Sequence, residues 1–182
     1  MAAFQLDSLA VLRAVAGDRD ALENVLTAIE PPLRRYIARL MLQPDPAEDV
    51  LQEVLFQICR KIRWLRDPEL LRTWAFRIAS RQCFRQLRAE RRRHEDTYDA
   101  DTLANPAENF PWEPHLLDWI GALPPASRSV IMLHYLEEMS LGEVASILEI
   151  APGTVKSRLA YGLAHLRRQA AGFPTSCLGG QP

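Results

Sequence analysis

The fold is decided by residues 140–168, which read SLGEVASILEIAPGTVKSRLAYGLAHLRR. Ser140, with Glu143 three residues later, has the pattern of a capping box and predicts the start of a helix. The Pro-Gly pair at 152–153 predicts a tight turn. Apolar residues at helical spacing then predict a longer helix over about 154–170. A short helix, a tight turn and a long helix in this order predict a helix-turn-helix motif.

The second helix of this motif has an apolar and a polar face. The apolar stripe consists of Val155, Leu159, Leu163 and Leu166. The polar face carries hydroxyl and cationic donors, namely Thr154, Lys156, Ser157, Arg158, Tyr161, His165 and Arg168. Such donors near a helix N-terminus suit contacts with base edges and phosphates in the major groove. Because residues 151–170 contain no acid, we expect this face to contact DNA.

Further helices are expected upstream, and no sheet, because no run of residues alternates between apolar and polar. Asp7 or Ser8 can cap a short helix that ends at Gly17, and Asp18 can begin a second. Pro31-Pro32 is expected to break or kink that second helix, because proline lacks the backbone N–H of a helical hydrogen bond.

Two more helices follow. Asp45 is expected to cap the first, with Pro46 at the first helical position and Glu48 completing a capping box. Asp67-Pro68 is expected to end this helix and cap the next one, which runs to about Arg92.

Charge is segregated along the chain, although the net charge is −1. Residues 60–93 hold twelve Lys or Arg against three acids, and residues 94–119 hold seven acids and no Lys or Arg. Basic blocks of this kind attract polyanions. The acidic stretch lacks apolar periodicity, which is typical of a linker. We therefore expect a helical domain at 1–93, a flexible acidic linker at 94–114, a second helical domain at 115–171 and a disordered tail at 172–182.

The basic block predicts a helix with five guanidinium groups along one face: Arg77, Arg81, Arg85, Arg88 and Arg92. Like charges stacked in this way repel one another, and phosphates would relieve that cost. Four aromatic residues are interleaved with the arginines: Trp64, Trp74, Phe76 and Phe84. Bases of single-stranded nucleic acid stack on such rings. Trp74 is in register with Leu71 and Ile78, which favours a core position, so Phe76 and Phe84 are the better candidates for stacking.

On the preceding helix, Asp49, Gln52 and Glu53 lie together, opposite an apolar stripe. This arrangement fits either an ordinary solvated face or a patch that meets a basic partner helix.

Composition argues against other classes of protein. The chain is 48% hydrophobic and 25% charged, which is ordinary for a globular protein. No apolar run is long enough to cross a membrane, and the N-terminus does not resemble a signal peptide. The odd cysteine count and wide spacing predict reduced thiols in a cytoplasmic protein. Four scattered histidines and the lack of nucleotide-binding or hydrolase motifs predict no enzyme activity, catalytic residue, cofactor or metal site.

Two blocks of the sequence together resemble the sigma-70 family. Residues 47–54 (AEDVLQEV), with Trp74, Ile78-Ala79 and residues 87–92, resemble region 2 of sigma factors. The second block resembles region 4; it comprises Leu123-Pro124-Pro125, Arg128, Val130, residues 140–148, residues 153–159 and Leu166-Arg167. Because region 3 is missing between the blocks, the chain resembles the extracytoplasmic-function (ECF, group 4) sigma factors.

The resemblance implies a role in transcription initiation. It implies that Asp49, Gln52 and Glu53 dock on the β′ coiled coil of core RNA polymerase. It implies recognition and opening of the −10 element by Trp74, Phe76, Arg77, Arg81, Phe84, Arg85, Arg88 and Arg92. It implies recognition of the −35 element by Arg128, Gly153, Thr154, Lys156, Ser157, Arg158 and Tyr161, in a domain that also contacts the β flap.

The same resemblance implies control by an anti-sigma factor, which would cover these surfaces and hold a cytoplasmic protein at the membrane in some cases. It also implies that the acidic linker threads toward the RNA exit channel. An alternative is a two-domain helix-turn-helix regulator that acts without core polymerase. That alternative shares the C-terminal motif but leaves the arginine-aromatic helix unexplained.

Overall fold

The computed structural model describes residues 7–95 and 114–171, and these are helical without a strand. This confirms the predicted all-α class. The eight α-helices of the described residues are α1 Ser8–Val15, α2 Arg19–Met41, α3 Pro44–Lys61, α4 Leu71–Glu95, α5 Pro114–Gly121, α6 Pro125–Ile131, α7 Leu141–Leu148 and α8 Pro152–Ala171. Most of the predicted linker, the predicted tail and Cys177 lie outside the described residues.

Helices α1 to α4 form the first module. Helix α3 buries Val50, Leu51, Val54 and Ile58, which confirms its predicted apolar stripe. Helix α4 packs against both α2 and α3. A hydrogen bond of 2.8 Å joins the buried hydroxyls of Tyr36 on α2 and Ser80 on α4. It satisfies two polar groups that would be costly to bury unpaired.

Two predicted helix starts of this module are confirmed. The side chain of Asp7 accepts a hydrogen bond from Leu9 N and begins α1. Asp18 accepts from Ala21 N and begins α2. Between α3 and α4 the chain makes two 3₁₀ turns, Ile62–Trp64 and Pro68–Leu70.

The expectation that Pro31-Pro32 breaks the second helix is wrong, because both prolines lie inside a continuous α2. Proline inside a helix removes a hydrogen bond and costs about 3 kcal/mol. Helix α2 buries Ile29, Leu33 and Tyr36 around the prolines. This packing on both sides of the prolines offsets their cost, so tertiary contacts override the local signal.

The predicted cap at Asp45 is also wrong. Helix α3 begins at Pro44, its N-cap is Gln43, and no side chain caps it. The fixed φ angle of proline suits the first helical position. Asp45 therefore lies within the first turn, where a carboxylate interacts favourably with the helix dipole. Glu48 bonds to Arg34 instead of completing a capping box.

Helices α5 to α8 form the second module. The predicted capping box is present: Glu143 N donates to Ser140 Oγ at 3.2 Å, and Ser140 N donates to Glu143 Oε2 at 2.9 Å. Helix α7 ends at Glu149, whose φ of 55° reverses the chain toward α8. The carbonyl of Ala151 accepts from the first amides of α8. The predicted helix-turn-helix is therefore formed by α7 and α8.

Helix α6 continues directly into a π-helical turn, Met132–Leu136. Helix α8 crosses α6 closely at Gly162, which is buried. A Cβ at Gly162 would lie 2.8 Å from Cγ1 of the buried Ile131. A side chain at position 162 would therefore push the two helices apart.

The two modules also pack against each other, which the sequence did not predict. Helix α7 lies against α4, and α6 contacts α2. The buried apolar residues of both modules form one continuous cluster. Of the described cysteines, Cys83 is buried in this cluster and Cys59 is exposed, and both are free. Burial raises the pKa of the Cys83 thiol to about 12.

Gly162→Ala is expected to destabilise the second module by roughly 1–3 kcal/mol, because the added methyl group overpacks against Ile131. Gly153→Ala is the matched control in the same helix, since a Cβ there meets nothing within 4 Å. The control is expected to be neutral or to stabilise by about 0.4–1 kcal/mol. Urea denaturation measures both, and equal changes in the two variants would contradict the proposed close contact.

Candidate nucleic-acid interface

Helix α4 carries the predicted basic face. Arg81, Arg85, Arg88 and Arg92 are exposed, and Arg77 is half-buried. All five lie on one continuous helix at spacings of three or four residues. Residues at this spacing share a helix face, so the structure places the five arginines on one side of α4, as predicted.

The aromatic residues of α4 do not all lie where the sequence suggested. Phe76 is 2% exposed and packs edge-on against Tyr36, with ring centroids 5.4 Å apart. The expectation that Phe76 is available for base stacking is therefore wrong, because α4 packs against both α2 and α3 and buries a broad side. Trp74 is partly buried against the core, and Phe84 is partly exposed. Phe84 remains a candidate for base stacking.

Trp64 is a further aromatic candidate, which the sequence grouped with the arginines but did not select. It is 63% exposed on the 3₁₀ turn that follows α3. The Arg63 guanidinium lies 4.6 Å from the centroid of its ring. An exposed ring beside a cation can stack on a base while the cation contacts a phosphate. The expectation that Asp67-Pro68 ends the preceding helix is wrong, because α3 already ends at Lys61 and Asp67 caps the second 3₁₀ turn. That expectation placed Trp64 inside the helix, so no local signal indicated its exposed position.

The patch on α3 is at the surface. Asp49 and Gln52 are exposed, and Glu53 is half-buried and accepts a hydrogen bond of 2.7 Å from Gln57 Nε2. Phe56, one turn further along α3, is 56% exposed, and the Arg60 guanidinium lies 5.5 Å from its ring centroid. The sequence analysis missed Phe56. Its position outside the 50–54–58 stripe was the signal that it faces outward.

The polar face of α8 is accessible as predicted. Gly153, Lys156, Ser157 and Tyr161 are exposed, whereas Thr154 and Arg158 are half-buried. On the opposite side Val155 is fully buried, and the leucines at 159, 163 and 166 pack on the core. The first turn of α8 contains no acid. Phosphate is therefore favoured there by both side-chain charge and the helix dipole.

Arg128 does not lie on the exposed polar face of α8, contrary to expectation. It is 5% exposed, and its guanidinium donates to three backbone carbonyls: Leu40 O at 2.8 Å, Leu123 O at 2.8 Å and Gly121 O at 2.5 Å. Burial lowers the pKa of Arg128 to about 10. Both of its Nη groups donate inside the protein, where they tie α6 to the end of α2.

Side chains of the second module contact the basic face of α4. Arg81 Nε donates to Glu149 Oε2 at 2.9 Å, and its Nη2 bonds the other carboxylate oxygen. Arg77 Nη2 donates to Ser146 Oγ at 2.6 Å. Hydrogen bonding by Arg81 lowers the pKa of Glu149. The charged form of Glu149 is therefore favoured by the contact.

A second acid at this contact is buried. Arg72 Nη2 bonds the backbone carbonyl of Glu137 and lies 3.4 Å from its carboxylate. Burial raises the pKa of Glu137, while Arg72 and Arg35 oppose that shift. Removing the carboxylate from water thus outweighs the attraction of its cationic neighbours.

The described residues contain no helix that is long and apolar enough to cross a membrane. Within the same ranges, no three His, Cys, Asp or Glu side chains are grouped so that they could hold a metal ion.

A helix-turn-helix module combined with a helical module that bears a basic helix defines a two-module, DNA-directed protein. The family models of sigma-70 region 2 and sigma-70 region 4 match residues 25–93 and 116–166. The ECF RNA polymerase sigma factor SigL of Mycobacterium tuberculosis is 32% identical, over 74% of this chain and 80% of SigL. The ECF RNA polymerase sigma-E factor of Haemophilus influenzae is 28% identical, over 84% and 89%. The chain belongs to the ECF group of the sigma-70 family.

Solved structures share the fold. The sigma factor RpoE of Bartonella quintana, in complex with the anti-sigma factor NepR, matches with a TM-score of 0.74 and 22% identity, over 84% of this chain and 98% of RpoE. CnrH, in complex with the cytosolic domain of CnrY, matches with a TM-score of 0.66 and 20% identity, over 92% and 99%. The two-module helical architecture is therefore that of sigma factors with solved structures.

Phe76→Ala is expected to destabilise the first module by about 3–5 kcal/mol, because it leaves a cavity beside Tyr36. Trp64→Ala removes a larger ring from an exposed site and is expected to change stability by only about 0.5 kcal/mol. Thermal or urea denaturation of the two variants measures the difference. A loss in Trp64→Ala as large as in Phe76→Ala would place Trp64 in the core and remove it as a candidate.

Proposed function

We propose that this chain binds core RNA polymerase and directs it to promoters with −10 and −35 elements. The observation that carries the proposal is the presence of both region 2 and region 4 in one chain, each with an accessible polar face. We assign residues 1–93 to region 2 and residues 115–171 to region 4. The chain itself performs no catalysis in this proposal; polymerase supplies the chemistry.

The face of α8 is proposed to read the −35 element. Lys156, Ser157 and Tyr161 are exposed on the N-terminal half of the helix, and Arg158 lies beside them. A helix of this length places such side chains within reach of base edges and phosphates in the major groove. Arg128 supports this module from inside, through its bonds to backbone carbonyls, and is not among the proposed DNA contacts.

The face of α4, together with Trp64, is proposed to bind and open the −10 element. Arg85 and Arg88 are exposed on α4 without a contact to the second module among the described hydrogen bonds. Trp64 offers a ring face for an unstacked base, which Phe76 does not. Stacking on an aromatic ring is worth roughly 1–3 kcal/mol per base. That gain helps to offset the cost of separating the strands.

The patch on α3 is proposed to dock on the coiled coil of the polymerase β′ subunit. Asp49 and Gln52 supply exposed polar groups, and Phe56 adds an exposed ring at the end of the same face. An apolar anchor surrounded by polar groups is the usual composition of an energetically important contact. The second module is proposed to contact the β flap.

We further propose an anti-sigma factor as regulator. The structurally similar sigma factor RpoE was solved in complex with the anti-sigma factor NepR. At 22% identity this likeness concerns the fold. The chain is expected to act in the cytoplasm. An anti-sigma factor anchored in the membrane would hold the inactive chain at the membrane surface.

Arg158→Ala and Lys156→Ala are each expected to reduce run-off transcription from a cognate promoter by roughly tenfold or more, because they remove contacts at the major groove. Binding to core polymerase, measured by fluorescence anisotropy, is expected to stay unchanged. Arg19→Ala, an exposed arginine on α2, is the control for a general loss of positive charge.

The combined variant Asp49→Ala and Gln52→Ala is expected to behave in the opposite way. It should weaken polymerase binding, while the isolated chain keeps its salt-dependent affinity for promoter duplex. If both sets of variants lose both activities equally, the assignment of separate surfaces is wrong. Tight duplex binding by the wild-type chain, with no transcription on addition of core polymerase, would instead support a regulator that acts alone.

A further inference from the structure

The second module covers part of the surface that the proposed function assigns to the −10 element. Its helix α7 lies along α4, and both Arg77 and Arg81 direct donors at it. We infer that the chain carries its own latch, in which Glu149 occupies on Arg81 the position of a DNA phosphate and masks the part of the α4 face around Arg77 and Arg81 until it is displaced. This inference rests on the proposed role of α4.

The geometry of the latch resembles phosphate recognition. Arg81 donates two N–H groups to Glu149, one to each carboxylate oxygen. Arginine uses the same two-pronged geometry for carboxylates and phosphates. Arg77, one turn earlier, bonds the Ser146 hydroxyl at 2.6 Å. Two successive arginines of the face are therefore occupied by one segment of the second module.

The partner segment is negative for two reasons. Glu149 lies directly after the last residue of α7, and the C-terminal end of a helix carries a partial negative charge. The Glu149 carboxylate contacts the basic face directly, and the helix end beside it is negative as well. DNA phosphates and this segment would compete for the same guanidinium groups.

Buried contacts hold the closed arrangement in one register. Arg128 of the second module donates to Leu40 O of the first, and both atoms are buried. Arg72 bonds the backbone of Glu137, whose side chain is 7% exposed. By contrast, Arg81 and Glu149 are 61% and 48% exposed. An exposed pair contributes little and is screened by salt, so polyanions can displace it.

The masking is selective. Asp49 and Gln52 on α3, and Lys156 and Ser157 on α8, stay exposed in the closed arrangement. On the α4 face, Arg77 and Arg81 are occupied, whereas Arg85 and Arg88 stay exposed. The latched chain would thus offer its polymerase-binding and −35-binding surfaces while withholding two arginines of the surface that binds the melted strand.

Hydrogen–deuterium exchange of the full chain, without polymerase, tests the latch. Glu149→Lys is expected to raise amide exchange at the end of α7, because it places a cation against Arg77 and Arg81 while the buried contacts keep the modules together. Adding Arg81→Glu to this variant is expected to restore the wild-type exchange by reversing the pair. Glu30→Lys is the control, since Glu30 pairs with Arg34 on α2 and makes no described contact with the second module. Unchanged exchange in Glu149→Lys, or no recovery in the double variant, would overturn the latch.

Binding to a labelled oligodeoxythymidine tests the masking. Glu149→Gln is expected to raise the affinity of the free chain by about two- to five-fold, the range of an exposed ion pair. Glu30→Gln removes the same charge elsewhere and is expected to leave the affinity close to wild type. Equal affinities of Glu149→Gln and wild type would overturn the masking.

Run-off transcription with core polymerase separates this inference from the proposed function. If the wild-type chain fails to program polymerase, the proposed function is wrong, but the exchange results still decide whether the latch exists. If the wild-type chain is active and Glu149→Lys leaves the exchange of α7 unchanged, the function stands and the latch is wrong.

Discussion

Helix α4 must bury one side in the core of the first module and carry a row of arginines on the other side. The packing of both modules depends on how these two requirements are met. One side packs into the first module with Phe76, Ala79 and Cys83 fully or almost fully buried. The other side carries arginines that repel one another. A counter-charge from outside the module relieves part of that repulsion. The structure supplies it from Glu149, and DNA would supply it with phosphates.

The parts of the fold that the sequence predicted well are those governed by local chemistry. Asp7, Asp18 and the Ser140–Glu143 pair each satisfy amides within three residues, so their caps could be read directly from the sequence. The α3 and α8 stripes follow from helical periodicity in the same way. Accessibility of Asp49, Gln52 and Lys156 follows in turn, since they lie opposite those stripes.

The parts that could not be predicted depend on contacts between distant residues. Periodicity along α4 shows one apolar stripe, but α4 packs against two helices, so Phe76 is buried although it lies off that stripe. Arg128 is buried because carbonyls of α2 and of the turn before α6 converge on it, and no local pattern reveals such a cage. Pro31 and Pro32 are tolerated because residues on either side are buried. In each case contacts between distant residues outweigh what the local sequence indicates. For a proline inside a helix, the local cost that is outweighed is about 3 kcal/mol.

Selective masking gives a physical reason for ordered assembly. A free chain with an open arginine face would bind any polyanion, because that attraction is insensitive to sequence. Covering Arg77 and Arg81 with a weak, exposed contact lowers this non-specific affinity, while α3 stays available for polymerase. Docking through α3 would then bring promoter DNA close to α4 at high effective concentration. At that concentration DNA phosphates displace Glu149 even when Arg81 binds them only slightly more tightly than it binds Glu149. A contact that contributes little to stability can therefore still decide which partner binds first.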